Sequence, residues 1–264
     1  TGLSGKWHLG YDRERAPLAQ GFDHFFGLLG GNHHYFKHMD RIGIPDLWLG
    51  NQAIEQDGYT TDLITEDASA FLRKTHERPF FLFIAHAAPQ FPYQGPADRE
   101  KVVEPKKKSW QVGDRRTYIA MVERMDEGIG KVVEALKAKG QLENTIIFYL
   151  QDNGACAEEL DWIKNRPNSN DIMALAPDEV QTQMIPFASR DGKPVKLMKE
   201  GWPGPADGYT AYGLNWANAS NTPFREYKHW VHEGGIATPL IVHWPAKIKK
   251  GGELRKSPAH LIDI

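Results

Sequence analysis

Residues 145–154 read Thr-Ile-Ile-Phe-Tyr-Leu-Gln-Asp-Asn-Gly. Thr145 to Leu150 is a short run of β-branched, aromatic and aliphatic residues, the composition of a buried strand. The run stops at Gln151, Asp152, Asn153 and Gly154, which puts a carboxylate and an amide oxygen at its C-terminal end. Open α/β sheets bind their ligands at that end. The oxygens of Asp152 and Asn153 suit a hard divalent cation such as Ca²⁺ or Mg²⁺. The same four residues also make an ordinary turn, since Asp-Asn and Asn-Gly are turn formers. In isolation the turn is the simpler reading.

The flanking segments build the scaffold around this stretch. Upstream, Tyr118, Val122, Met125, Ile129, Val132 and Leu136 recur at steps of three and four, and Gly140 follows as a C-terminal cap. This spacing predicts a helix over 117–139 whose Met and Tyr residues belong to a core. Ile64, Ala68, Phe71 and Leu72 predict a second helix over 61–75. The apolar run 79–85 then reads as a strand covered on both faces. A proline-rich loop holding His86, Pro89, Gln90, Pro92 and Pro96 follows it. Downstream, Leu240 to Trp244 is a further strand between Pro239 and Pro245, and Glu233-Gly234-Gly235 is a tight turn before it. Strand, helix, strand, loop and strand in this order predict an α/β fold with a mostly parallel or mixed central sheet and helices on both faces.

The remaining segments are less patterned. Residues 5–10 read Gly-Lys-Trp-His-Leu-Gly, and an extended backbone there would place Lys6 and His8 on one face, a plausible grip on an anion. A surface lysine beside a packed histidine explains the pair equally. Residues 11–27 read as loop ending in an aromatic turn over Gly21–Gly27, and Asn32, His33, His34 and Tyr35 as polar loop residues. His86 is as readily a satisfied core histidine as a functional one. Residues 155–220 carry Pro, Asn, Gly and Trp without periodicity, an elaborated loop region of the kind that shapes specificity. Lys106, Lys107 and Lys108 read as a solvated cluster, and Cys156 as a small packing residue.

Composition removes several function classes. The 264 residues are 41% hydrophobic and 25% charged, which describes a globular chain with room for one large α/β domain or two small ones. A formal net charge of -2 gives no electrostatic case for nucleic acid. A single cysteine excludes an internal disulfide framework and a cysteine-clustered zinc site. No apolar run reaches membrane-spanning length, and no Gly-rich nucleotide-binding signature is present.

Three stretches together resemble the type I sulfatases of the alkaline phosphatase superfamily. Gly5-Lys6-Trp7-His8-Leu9-Gly10 is similar to the second sulfatase signature. Gln151-Asp152-Asn153-Gly154 is similar to the family's metal motif. Phe224-Arg225-x-x-Lys228, followed by Glu233-Gly234-Gly235-Ile236 and Pro239-Leu240-Ile241-Val242, resembles the catalytic-lysine segment. The resemblance covers nearly the whole of 1–264 and implies an alkaline-phosphatase-like α/β fold. It implies Asp152 and Asn153 as ligands of Ca²⁺, with Mg²⁺ an alternative. It implies Lys6 and Lys228 as sulfate contacts, and His8 as the residue that orients or deprotonates a formylglycine nucleophile. The implied partner is a sulfated carbohydrate or an aryl sulfate ester, and the implied location is outside the cytoplasm.

Two departures qualify what the resemblance implies. The family's nucleophile motif and its paired Asp residues are absent from 1–264 and are expected upstream, with a smaller subdomain expected downstream. A partial catalytic domain of this kind is expected to be inactive by itself. In the loop after the 79–85 strand, the family's sulfate-contacting histidine is replaced by Gln90, which donates a hydrogen bond but supplies no proton near neutral pH. His86 is the candidate substitute. A phosphodiesterase or phosphonate hydrolase of the same superfamily, and a non-catalytic sulfated-glycan binder, are the alternatives.

Overall fold

Alternation of small and apolar residues in Gly2–Lys6 produces strand β1, which is paired on both sides within the main sheet. The computed structural model describes residues 1–40, 44–74, 76–90, 92–100, 115–157, 188, 192–197, 208–209, 213–255, 257 and 259–264. They fall into two compact units, Thr1–Val132 with Glu159–Tyr212, and Val133–Glu158 with Gly213–Ile264.

In the first unit, β1 pairs in parallel with β2 (His24–Leu28) on one side. Two short antiparallel strands, β3 (Trp48–Leu49) and β4 (Gln52–Ala53), extend that side. On its other side β1 pairs in parallel with β5 (Leu82–Ala85), giving the order β4-β3-β2-β1-β5. The mixed sheet agrees with expectation, but two local readings are corrected. The supposed aromatic turn over 21–27 is largely strand β2, because His24-Phe25-Phe26-Gly27-Leu28 pairs residue for residue with β1. The run 79–85 is not covered on both faces: Phe83 and Phe81 are 48% and 58% exposed, and β5 ends the sheet among the described residues.

Helix α1 (Thr60–Arg73) forms from the apolar spacing over Ile64, Ala68, Phe71 and Leu72, all buried. Its Asp67 fastens it to the sheet. Ser4 Oγ on β1 donates to Asp67 Oδ2 at 2.6 Å, and His24 Nε2 on β2 lies 2.9 Å from both carboxylate oxygens. Leu3, Phe25 and Leu29 form a separate buried cluster with Trp7, Leu18, Phe22 and Trp48 against it. Helix α2 (Arg115–Ala138) carries the predicted stripe and buries Met121 beside Leu28, Tyr35 and Tyr59. Arg124 reaches Asp62 of α1 through Nε at 2.6 Å and Nη2 at 2.9 Å. Gly140 ends the helix with a left-handed φ of 66°, as a C-terminal cap requires. A short parallel pair, β6 (Lys196–Leu197) and β7 (Gly208–Tyr209), also belongs to this unit. The rest of the 155–220 region lies mostly outside the described residues, as do Lys106, Lys107 and Lys108.

In the second unit, strand β8 (Ile147–Leu150) pairs with β9 (Leu240–His243), register Ile147↔His243 through Leu150↔Leu240. This pair is antiparallel, in keeping with a mixed sheet, and Phe148 of the expected buried strand is exposed, as are Leu240, Ile241 and Val242 opposite it. Continuous apolar composition records only that a strand is apolar on both sides, and it carries no information on direction or cover. Helices α3 (Leu214–Asn221) and α4 (Glu233–Ile236) complete the unit, so the expected tight turn at Glu233 is one helical turn.

The first unit also buries polar groups that the sequence presents as loop residues. His33 is 2% exposed, with Nδ1 2.9 Å from the Asp46 carbonyl and Nε2 2.8 Å from Thr60 Oγ1. Burial pushes its imidazole down to about 3. Burial likewise lowers His34 to about 4 and His86 to about 4, and it lowers His38. Asp46 moves the other way, up to about 6, because burial outweighs the hydrogen bonds that it accepts.

Two outcomes follow for stability. Asp67→Ala removes the acceptor of a buried Ser4 hydroxyl and the partner of His24, and is expected to cost about 2–4 kcal/mol. A denaturation midpoint within experimental error of the parent would refute the anchoring role. For pH, the lowered histidines stay neutral in the fold but take up protons near 6.5 once unfolded, so stability is lost as pH falls below 6.5. Asp46 opposes this, gaining a proton in the fold below about 6 that the unfolded chain takes up only near 3.8. The histidines outnumber it, so the urea midpoint is expected to drop between pH 7 and pH 4.5. A flat or rising midpoint over that range would show that burial of these rings is incomplete.

Candidate active site

In the first unit the C-terminal ends of β1 and β5 carry the singled-out residues. Lys6 closes β1 and its Nζ donates to Gln90 Oε1 at 2.6 Å. The lysine and the glutamine expected to share a ligand are therefore in direct contact. Gln90 is held from behind: its carbonyl accepts from Tyr35 Oη at 2.9 Å, and the Tyr35 amide donates to Gln94 Oε1 at 3.0 Å. His8 departs from expectation. Its φ of 68° is left-handed, so the chain leaves the extended conformation after Lys6, and strand alternation no longer relates the two side chains. The turn is fixed by main-chain bonds from the Trp7 amide to the Leu28 carbonyl at 2.8 Å and from the His8 amide to the Leu29 carbonyl at 3.1 Å.

His86 directly follows β5, whose Ala85 is in register with Gly5 of β1. Burial keeps its ring neutral near pH 7, with the value pushed down to about 4, and its Nδ1 is buried without a hydrogen-bond partner among the described residues. A neutral imidazole at the C-terminal end of β5 can accept a hydrogen bond at one nitrogen and donate one from the other, but it carries no positive charge to offer an anion. His86 is thus not a satisfied core histidine: the residue is half-buried, and its buried Nδ1 has no hydrogen-bond partner among the described residues.

In the second unit the sequence Gln151–Gly154 does turn, and it turns in a fixed place. Thr238 Oγ1 donates to the Gln151 carbonyl at 2.9 Å, and the Gly154 amide donates to the Gly235 carbonyl at 3.1 Å. Asn221 at the end of α3 is a two-sided clamp: Oδ1 accepts from the Ala155 amide at 3.0 Å and Nδ2 donates to the Glu226 carbonyl at 2.9 Å. The Lys228 amide donates to the Ala155 carbonyl at 2.9 Å, so the lysine segment is tied to the turn through its backbone and its side chain remains exposed. Gly154 is required by close approach, since a Cβ there would lie 1.8 Å from the Gly234 carbonyl oxygen. The structure therefore joins Asp152, Asn153 and Lys228 in one local arrangement that the sequence shows only as stretches some 75 residues apart. Neither Asn221 nor Thr238 carries a spacing signal that would have singled it out.

Asp152 is exposed, and Asn153 turns its amide nitrogen to the Gly154 carbonyl at 2.7 Å, which leaves Oδ1 outside that bond. A carboxylate and an amide oxygen have the right hardness for Ca²⁺ or Mg²⁺, but Ca²⁺ takes about six to eight oxygens. Among the described residues no cluster of three His, Cys, Asp or Glu side chains is placed to hold a metal. The donor set supplied by Asp152 and Asn153 is chemically suitable and incomplete. Cys156, two residues past the turn, is a half-buried free thiol.

The Sulfatase family model matches residues 1–264. An uncharacterized sulfatase of Schizosaccharomyces pombe is 26% identical over 307 residues, covering 94% of this chain and 52% of that protein. An arylsulfatase of Klebsiella aerogenes is 23% identical over 316 residues, covering 100% of this chain and 63% of that protein. The chain thus spans about half the length of these curated relatives. Among solved structures, Ps i-CgsB in complex with k-i-k-neocarrahexaose superposes with a TM-score of 0.56 at 27% identity, covering 93% of this chain and 44% of that one. With its whole length matched, and with the three motifs standing at strand ends and in the clamped turn, this chain belongs to the sulfatase family.

Proposed function

We propose that the protein of which this chain is part hydrolyses sulfate esters, and that Lys6, His8, Lys228, Asp152 and Asn153 contribute to its active site. The observation that carries this reading is positional. Lys6 closes β1, His86 and Gln90 follow β5, and Asp152 and Asn153 follow β8, so every singled-out group except Lys228 lies at the C-terminal end of a strand. Lys228 is tied by its amide to the segment after β8. Ligands of parallel α/β sheets bind at such ends, which supports Lys6, His86 and Gln90; Asp152 and Asn153 are supported by their outward place on the turn after β8.

The roles follow from the chemistry of each side chain. The ammonium groups of Lys6 and Lys228 offset negative charge on sulfate oxygens, most strongly as the ester bond breaks. His8 holds or accepts the proton of the nucleophile, which in this reading is a hydrated formylglycine from the remainder of the protein. Asp152 and Asn153 would hold a divalent cation, Ca²⁺ or Mg²⁺, with further oxygen donors from outside this chain; when bound, such a cation supplies positive charge to the sulfate oxygens. Gln90 donates through its amide nitrogen while its oxygen stays on Lys6, and so binds sulfate without protonating the departing alcohol. His86 would supply that proton only as the imidazolium, a form that a bound sulfate anion would favour over the neutral ring; otherwise the alcohol leaves unaided. A sulfated carbohydrate is the favoured substrate, with an aryl sulfate as the simpler surrogate. The complex of Ps i-CgsB with a neocarrahexaose and the match to N-acetylgalactosamine-6-sulfatase of Homo sapiens, 29% identical over 261 residues, support the carbohydrate class. Such substrates fit an exported protein. No described helix is long and apolar enough to cross a membrane.

Gln90 also favours a second reading, a descendant that binds sulfated glycans without cleaving them. Sulfate release by the full-length protein separates the two. Release from an aryl sulfate is expected, with Lys228→Ala lowering kcat/KM by about 100-fold or more. Retention of sulfated glycans with no release would establish the binder. Faster turnover of the matching phosphate ester would make the protein a phosphoester hydrolase. Gln90→His is expected to raise kcat about 10-fold or more on an alkyl sulfate and little on a nitrophenyl sulfate, whose alcohol needs no proton. Equal effects on both would show that Gln90 does not stand beside the leaving oxygen.

A further inference from the structure

We propose that Asp46 and Gly31 are positioning residues that together set the His8 imidazole, Asp46 by fixing the chain after β2 and Gly31 by giving the ring its seat. This rests on the role read for His8 above. The support runs through four links. The backbone at Trp7 and His8 hangs on the carbonyls of Leu28 and Leu29. The amides of the next groups along, Leu29 and Gly30, donate to Asp46 Oδ1 at 2.9 Å and Oδ2 at 3.0 Å. Asp46 is itself immobilised, accepting Trp48 Nε1 at 2.9 Å and Tyr11 Oη at 3.3 Å, and it is fully buried. At the end of this held segment, a Cβ placed on Gly31 would lie 2.6 Å from His8 Nε2 and 2.9 Å from Cδ2, so the ring lies directly against the glycine backbone.

The choice of residue at both positions has a physical reason. Four donors converge on the two oxygens of Asp46, and only a carboxylate accepts at both. Asparagine would keep one oxygen and turn an NH₂ group toward one of these donors. The carboxyl value of about 6 leaves it ionised at neutral pH, where it keeps that accepting capacity. At Gly31 the requirement is for space alone. Its backbone is not left-handed, so alanine fits the main chain there, and the methyl group meets nothing but the imidazole within the nearest contacts. Gly31→Ala is therefore a clean displacement of one ring.

The test uses the full-length protein carrying Gly31→Ala, Asp46→Asn or His8→Ala, and the double variant of Gly31→Ala with His8→Ala. The imidazole ¹⁵N resonance that disappears in His8→Ala is expected to move in Gly31→Ala and in Asp46→Asn, with the thermal midpoint of Gly31→Ala nearly that of the parent. Sulfate release by Gly31→Ala is expected to fall about 10- to 100-fold in kcat with KM changed less than about threefold, as for a catalytic group displaced by about an ångström. In the His8→Ala background the same substitution is expected to have no further effect. An unmoved resonance in Gly31→Ala, or losses that multiply in the double variant, would overturn the proposal. If His8→Ala itself leaves sulfate release unchanged, the role read for His8 fails, and the resonance still decides whether the seat exists.

Discussion

Strand β1 is bonded in parallel to β2 on one side and β5 on the other, and the register of those two ladders determines where Lys6 emerges. A shift of one residue would turn Ser4 away from Asp67 and carry Leu3 out of its cluster with Phe25. The cost of such a slip is large because both faces of β1 are committed, one through the buried Ser4 to the half-buried Asp67 carboxylate on α1 and the other to aromatic packing. That commitment holds the Lys6 ammonium at the C-terminal end of β1, where the loop after β5 brings Gln90 to it.

Beyond β1 the chain stops being a strand, and polar contacts take over from ladder pairing. The left-handed residue His8 and the segment after β2 are joined by main-chain bonds, and a buried aspartate closes the far side of the segment. Such networks are rigid only when every member is satisfied. Here the partners of Asp46 and His33 are all supplied by the chain itself. His86 differs: the residue is half-buried, and its buried Nδ1 has no hydrogen-bond partner among the described residues. An unsatisfied buried group is costly, and its place beside the end of β5 is where a ligand atom would relieve that cost.

The second unit solves a similar problem with different parts. A turn after β8 must present a carboxylate and an amide oxygen outward while its own backbone stays bonded. Asn221, Thr238 and the Gly234–Gly235 backbone take up those backbone groups. The Gly234 carbonyl leaves no room for a side chain at Gly154, and the carbonyls of Glu226 and Arg225 leave none at Gly234. Asp152 thereby remains exposed on a turn that is itself well held.

The amino-acid sequence by itself determined the α/β character, the two long helices with the Gly140 cap, and the three motifs that mark the sulfatase family. Periodicity and local turn chemistry act over a few residues, so they are written in neighbouring letters. It did not determine that β8 and β9 run antiparallel, that Phe83 and Ile241 are exposed, or that His24–Leu28 is a strand rather than a turn. Direction and cover depend on partners distant in the chain. The polar core around His33 and Asp46 was illegible for the same reason, since a buried histidine and a loop histidine are the same letter until a carbonyl and a hydroxyl arrive on either side of the ring. Only the tertiary structure brought Lys6 onto Gln90, Lys228 onto the Asp152 turn and His8 onto Gly31, because each of those contacts is made by folding and none by sequence spacing.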